Sequence, residues 1–576
     1  MKIKRIQEKG SKLLAFVLLA ALSGIASAAW ATYSLPTARS VTWQGNVGVS
    51  GDIPSRTTIY KTLSPSGGDD TSAIQTAIDN CPTGQVVKLN AGTFKISTPM
   101  TISRGITLRG AGMGSTIIQG QASATGAYLV KVGGGISFGT SYGITAGLTK
   151  GSTTITTSAA HGWSVGDVIW IDQLNNASDD PPVSSTGNNG ACTWCGRSSG
   201  SRSLGQAVKV TAVPTSTTAT LEIPLYWNYD ASLTPQATKM GGILSSAGIE
   251  NLTIDNSISG SSSQITGTIW MSGTGNCWLL NTEVISAYHA ILELDNGAYR
   301  NTIRSCKFHE GVPVTAGDGS SSFATDRAYG INPLKYCSAN LFENNQMFHL
   351  STGLLSDGPF SGNVIAYNYI TGLYLNNIDF DPYAISFHGS HAFMNLEEGN
   401  YIDSRVASDF VFGTKSDNTV FRNKIAIAPN RSGGAWDLDI QNTSWYFNIV
   451  GNVLGKGTER IYTLINTDSG SSAIYRLGYT ADGDNTASGN DAGVGNTILR
   501  HANWDSYTNG VVWNGSDDHV LPPSLYLSSK PSWWNSLPWP AIGPDVSPMY
   551  PAAPVVGSGT PWNNKSITPP TLLGVN

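Results

Sequence analysis

Short apolar runs alternate with single polar positions through the middle of the chain, as in Val364-Ile365-Ala366-Tyr367-Asn368-Tyr369-Ile370 and Val420-Phe421-Arg422-Asn423-Lys424-Ile425. A period of two places one set of side chains inward and the other outward on a strand. Asparagines recur five residues apart on these segments: Asn251/Asn256, Asn340/Asn345, Asn363/Asn368, Asn395/Asn400 and Asn418/Asn423. Asn281/Ser286 and Asn301/Cys306 are weaker members, and Asn452 is read as the last. From Asn345 the second member advances by 23, 32 and 23 residues to Asn368, Asn400 and Asn423. Such steps suit one turn of a coil of strands, with extra loop length in one turn. Asparagine tolerates left-handed backbone angles and bonds nearby backbone groups, so it suits the bends. Stacked asparagines can also bond one another from coil to coil.

The coil needs a start. Gly68-Asp69-Asp70-Thr71 precedes Ile74, Ala77 and Ile78, which lie at helical spacing; acidic and hydroxyl residues favour a helix N-terminus. Strands follow over 85–90 and from Ile96, with a turn at Ala91-Gly92-Thr93-Phe94 between them. A short helix before the first strands reads as the cap that an open coil requires. Residues 136–240 break the pattern with paired strands around turns and a long Asn/Ser/Gly-rich loop, and read as an all-β insertion beside the coil. The chain divides into a signal segment 1–29, cap and first coils 30–135, insertion 136–240, main coil 241–500 and a Trp/Pro-rich tail 501–576.

The run Gly68-Asp69-Asp70-Thr71, Ala73-Ile74-Gln75, Ala77-Ile78, then Asn90-Ala91-Gly92-Thr93-Phe94 and Leu108-Arg109-Gly110-Ala111-Gly112 resembles the N-terminal segment of the pectate-lyase-like superfamily. Rhamnogalacturonases, epimerase-like proteins and many phage tailspikes share that segment. The resemblance implies an all-β fold, a right-handed single-stranded parallel β-helix, and a polysaccharide partner. It does not choose among lyase, hydrolase and binding protein.

Composition narrows the function. Charged residues make up 13% of the chain and the net charge is −5, with no basic block beyond the N-terminus, which excludes a phosphate-neutralising face for nucleic acid. Lys2, Lys4, Arg5, Lys9 and Lys12 precede an apolar run from Leu13 to Leu22 and then Ala26-Ser27-Ala28, the pattern of a secretory signal. This predicts an extracellular or periplasmic protein without a membrane partner once the signal is removed. Of six cysteines, Cys192 and Cys195 lie in the polar loop of the insertion and are expected to form a local disulfide.

Residues 376–424 hold the densest group of chemically active side chains. His388-Gly389-Ser390-His391 uses two of eight histidines, able to move protons near neutral pH. Three readings stand: catalytic histidines, metal ligands together with Asp379 or Asp381, or loop residues bonded to backbone. For hydrolysis, Asp379, Asp381 and Asp409 are the candidate carboxylates. For β-elimination on a uronic acid, Arg405, Arg422, Lys415 and Lys424 are candidates to neutralise the substrate carboxylate, or acidic residues to hold Ca²⁺. Asn377-Ile378-Asp379 and His388-Gly389 resemble two polygalacturonase motifs, but that family's Asp pair and Arg-Ile-Lys have no counterpart here. The expected catalytic set is Asp379, Asp381, His388, His391 and Asp409, with Arg422, Arg405 and Lys424 binding substrate. An acidic polysaccharide is the first partner to consider, cleaved by hydrolysis or elimination; a non-catalytic carbohydrate-binding or adhesin-like coil is the alternative.

Overall fold

The computed structural model describes residues 33–124, 126–258, 267–311, 328–373, 382–427, 435–465, 472–480, 490–514, 519–534, 538–547 and 549. The expected signal segment, Asp379 and Asp381 lie outside them.

Strands pair in parallel with the strand one coil earlier and one coil later, so the chain winds as a parallel β-helix. Parallel crossovers within one sheet are right-handed in nearly all proteins. Three walls result. The first carries two short strands per coil, such as Thr302–Arg304 and Lys307–His309. The second carries one longer strand per coil, including Tyr383–Gly389 and Arg405–Phe412. The third is a ladder of two-residue strands such as Ala392–Phe393 and Lys415–Ser416. Inward columns of Leu, Ile, Val and Phe fill the interior, as where Leu292, Ile331, Leu354, Ile385, Val406 and Leu438 are fully or almost fully buried.

The asparagines build the corners. Asn301, Asn340, Asn363, Asn395 and Asn418 form one ladder, each side-chain amide donating to the next carbonyl oxygen at 2.9–3.0 Å. Asn345, Asn368, Asn400, Asn423 and Asn452 form a second, which continues past the expected end to Asn503. The step to Asn503 spans 51 residues, so sequence spacing hid it. Each ladder residue follows one with positive φ: Asn344, Tyr367, Gly399, Arg422 and Gly451 on the second ladder, at φ 53° to 68°. Asn251 and Asn281 belong to this bend column, not to either of these two ladders, because strand register aligns them with Ser305 and Asn344. Both hold positive φ there, and the Asn281 side-chain amide donates to Asn251 Oδ1 at 2.7 Å, so backbone angle and side-chain bonding both suit asparagine.

Helix Thr71–Asn80 caps the first coils with Ile74, Ala77 and Ile78 buried. Asp69 accepts from the Thr71 amide at 3.1 Å and also from the Thr71 and Ser97 hydroxyls, which ties the helix start to the neighbouring coil. The insertion forms a closed six-stranded barrel between Ser137–Ala146 and Gln236–Gly241. Its core is continuous with Tyr299, Tyr336, Phe393 and Met394 of the coil, so it docks on the third wall. The C-terminal segment runs along the first wall, where Leu521, Tyr526, Trp534 and Ile542 pack on Tyr367, Leu396 and Phe421.

Candidate functional site

On the second wall, Phe387 is paired with Ser408, and Ser356 with Phe387. The next residues, Asp357, His388 and Asp409, therefore stand side by side on three successive coils. Gly389 makes this approach feasible: a Cβ there would lie 2.1 Å from the Asp357 carbonyl oxygen. The glycine admits a neighbouring coil rather than substrate.

His388 Nδ1 lies 2.7 Å from Asp409 Oδ2, and Nε2 faces Asp357 Oδ1 at 3.9 Å. The His388 side chain is 21% exposed and Asp357 15%, whereas Asp409 is fully buried. Burial pushes the Asp409 carboxyl up, but the charges of His388 and Lys415 outweigh it and hold it below its ordinary range. An ionised Asp409 fixes the proton on Nδ1, leaving Nε2 to exchange a proton with a ligand. Burial lowers the His388 pKa, yet Asp409 and Asp357 together raise it above 6.5. Asp357 is raised, chiefly by burial, against the opposing pull of His388, Asn332 and His289. Asn332 donates to Asp357 Oδ2 at 2.9 Å. Lys415 lies beneath, its ammonium donating to the carbonyls of His388, Gly413 and Asp409 and standing 3.7 Å from Asp409 Oδ1.

The insertion supplies one rim. Cys192 and Cys195 are joined by a disulfide, and between them Trp194 is 37% exposed. Its indole N–H donates to the Asp357 carbonyl at 3.1 Å. Its ring meets Phe412 edge to face at 4.8 Å, and Phe412 meets His388 likewise at 4.9 Å. The backbone amides of Asn188 and Asn189 bond the carbonyls of Phe410 and Val411, which fastens this loop to the strand carrying Asp409. The cluster can therefore move a proton beside an exposed aromatic ring.

Four expected site residues are placed elsewhere. His391 is fully buried, Nδ1 against the Thr414 hydroxyl and Nε2 against Ser416, and burial followed by Lys415 holds its pKa at about 3. It is a neutral corner residue, and shares no metal position with His388. Arg422 grips Asp545 with both terminal nitrogens at 2.7 Å and reaches the carbonyls of Leu521, Pro522 and Ile542, so it anchors the C-terminal segment. Arg405 is buried, bonded to Asp439 and set over the Tyr383 ring. Lys424 is buried and donates to the Gly455 carbonyl. None of these presents a charge to a ligand on the wall.

Asp357, Asn332 and Trp194 were not anticipated. Asp357 had a signal: adding the 32-residue step of its coil reaches position 389, one residue from His388. Trp194 had none, because nothing in the sequence says which wall the insertion loop reaches. Among the described residues no group of three or more His, Cys, Asp or Glu is arranged to hold a metal ion. Ca²⁺ takes six to eight oxygens; Asp409 already faces His388 and Lys415, so the cluster does not fit that ion. A cavity of about 500 Å³ opens between the barrel and the coil, away from His388.

Residues 66–193 match the family model described as rhamnogalacturonase A/epimerase, pectate lyase-like. No curated protein matches the sequence. Among solved structures, the tailspike gp49 of Pseudomonas phage LKA1 is 16% identical with a TM-score of 0.46, over 71% of this chain and 63% of that one. The tailspike gp61 of Pseudomonas phage phi297 is 14% identical with a TM-score of 0.46, over 80% and 76%. The A-module of the mannuronan C-5 epimerase AlgE6 of Azotobacter vinelandii is 12% identical with a TM-score of 0.38, over 76% and 95%. The chain spans just under two thirds of the first of these. By its own strand topology the chain is a parallel β-helix, and over its first coils it is similar to the rhamnogalacturonase A/epimerase, pectate lyase-like family.

Proposed function

We propose that the protein is an exported enzyme that cleaves glycosidic bonds of a polysaccharide lying across the second wall, with His388 as the proton-transfer residue. The observation that carries this is the His388 ring, bonded through Nδ1 to the buried Asp409 while Nε2 faces Asp357 at a partly exposed position. His388 takes a proton at Nε2; Asp409 stabilises the imidazolium and keeps the tautomer. Asp357, raised by burial, is the partner that returns a proton to the leaving oxygen. Trp194 offers a ring face beside the centre for a sugar. The matched family's name, which denotes pectin-active proteins, supports a uronic-acid-containing substrate. Export rests on the basic, apolar and small-residue order of positions 2–28, and the Cys192–Cys195 disulfide is in keeping with an oxidising compartment.

The test is a panel of acidic and neutral polysaccharides. Ultraviolet absorbance of an unsaturated product identifies elimination, and new reducing ends without it identify hydrolysis. His388→Ala should lower either rate about 10²–10⁴-fold. Full activity in that variant, or no product from any glycan with the unaltered protein, sinks the proposal.

A further inference from the structure

The cavity of about 500 Å³ lies where three stretches meet: the N-terminal arm at Arg39, the barrel at Lys150 and Trp227, and the coil at Asp417 and Tyr446. A second cavity of about 280 Å³ shares Lys150 and Tyr226 with it and continues along the arm past Thr42. Together they are of the size that holds small ligands, and their run suits more than one ring. His391 and its hydrogen-bond partners Thr414 and Ser416 are not among the residues that line either cavity, nor are His388, Asp409 and Lys415.

The chemistry of the lining selects a ligand. Trp227 is half-buried, its ring fixed by edge-to-face contacts with Phe393 at 5.7 Å and His391 at 6.2 Å. Tyr446 donates its hydroxyl to Asp180 at 2.7 Å. The Lys150 ammonium donates to the carbonyls of Thr37 and Ala38 at 2.8 and 2.9 Å, and the Arg39 guanidinium covers the Tyr446 ring at 4.7 Å. Four carboxyl groups, Asp179, Asp180, Asp230 and Asp417, also line the space. An ionised carboxylate offers about four acceptor positions, so those here keep capacity for further donors. Burial pushes Asp417 up to about 7 and Lys150 down to about 8, while Asp180 and Asp230 stand exposed at the mouth of the space. Aromatic rings beside excess hydrogen-bond acceptors suit a ligand with a stacking face and many hydroxyl donors. The same excess of carboxylates repels a uronic acid.

We propose that this double cavity is a second carbohydrate site, separate from the His388 wall, which binds a neutral oligosaccharide through Trp227 and Asp180. The proposal stands whether or not His388 is catalytic. Calorimetric titration of the full chain carrying His388→Ala prevents turnover and isolates binding. The probes are neutral gluco-, manno- and galacto-hexasaccharides, with hexagalacturonate as the acidic comparison. At least one neutral probe should bind at millimolar concentration or below, and hexagalacturonate should not compete. Trp227→Ala should weaken that binding at least tenfold. Asp180→Ala, at an exposed position and therefore safe for folding, should weaken it several-fold with an unchanged melting curve. No binding by any neutral probe, competition by hexagalacturonate, or affinity indifferent to Asp180→Ala would each overturn the proposal.

Discussion

Glu397 stands in a core column, paired in register with Ile365 on one coil and Val420 on the next, and neither carboxylate oxygen has a hydrogen-bond partner among the described residues. Burial raises its pKa to about 8 from 4.5. The folded state thus binds a proton that the unfolded state releases between those values, so stability falls as pH rises through that window. The loss approaches about 5 kcal/mol above pH 8, at ~1.4 kcal/mol for each pH unit that separates the folded and unfolded values. Glu397→Leu should raise the urea midpoint at pH 9 and change it little at pH 4; equal effects at both pH values would refute this titration. At the centre, Asp409→Asn should lower kcat about 10²–10⁴-fold. It should also move the acid limb of the rate profile to lower pH, because the charge that raises His388 is gone. A limb that stays put would separate Asp409 from the proton transfer. His388 and Asp409 were legible as a histidine and a carboxylate about one coil apart. Arg422 was misleading because a charged residue at a positive-φ bend looks exposed in sequence, and only the returning tail buries it.

At the level of elements, the two asparagine ladders were the part of the fold most open to sequence, since one chemical requirement repeats at each corner. Asn368 shows the requirement in full. Its backbone amide and side-chain amide both donate to Asn400 Oδ1, and the side chain also donates to the Phe342 carbonyl. Asn368→Ala strands the backbone and side-chain amides of Asn345 and the Phe342 carbonyl, all on the preceding coil. It should cost about 1–3 kcal/mol for each buried group left unpaired, read as a lower denaturation midpoint; a neutral substitution would show that the ladder is decorative. The insertion loop was legible as a disulfide loop but not as a rim of the site, since contact with the second wall depends on how the barrel docks. Gly187 marks that contact, for a Cβ there would lie 2.1 Å from the Phe410 carbonyl oxygen. Reducing Cys192–Cys195 should free Trp194 from Asp357 and raise KM while the far-ultraviolet circular dichroism stays unchanged. Unaltered kinetics after complete reduction would remove Trp194 from the substrate path.

Across the whole molecule, stability has two sources of different kind. Coil stacking is local and repetitive, each turn resting on its neighbours. The C-terminal segment instead spans several coils at once. Tyr526 donates its hydroxyl to Glu343, the Leu525 amide reaches Glu398, and Asp545 meets Arg422, so one strap touches coils whose chain positions differ by 79 residues from Glu343 to Arg422. A strap of this kind couples turns that would otherwise fray independently. Its weak point is the Arg422–Asp545 pair, where Arg422 is 2% exposed and Asp545 27%. Arg422→Ala leaves three carbonyls without their donor and an acid without its cation. Breaking a buried pair costs about 3–5 kcal/mol, and the partial exposure of Asp545 places this one toward the low end. The strap should then open while the coils persist, and limited proteolysis should cut beyond residue 519 well before any site in the coil. Simultaneous loss of strap and coils would mean that the segment nucleates the whole wall, and continued protection would show that its aromatic contacts with Tyr367 and Phe421 suffice without the ion pair.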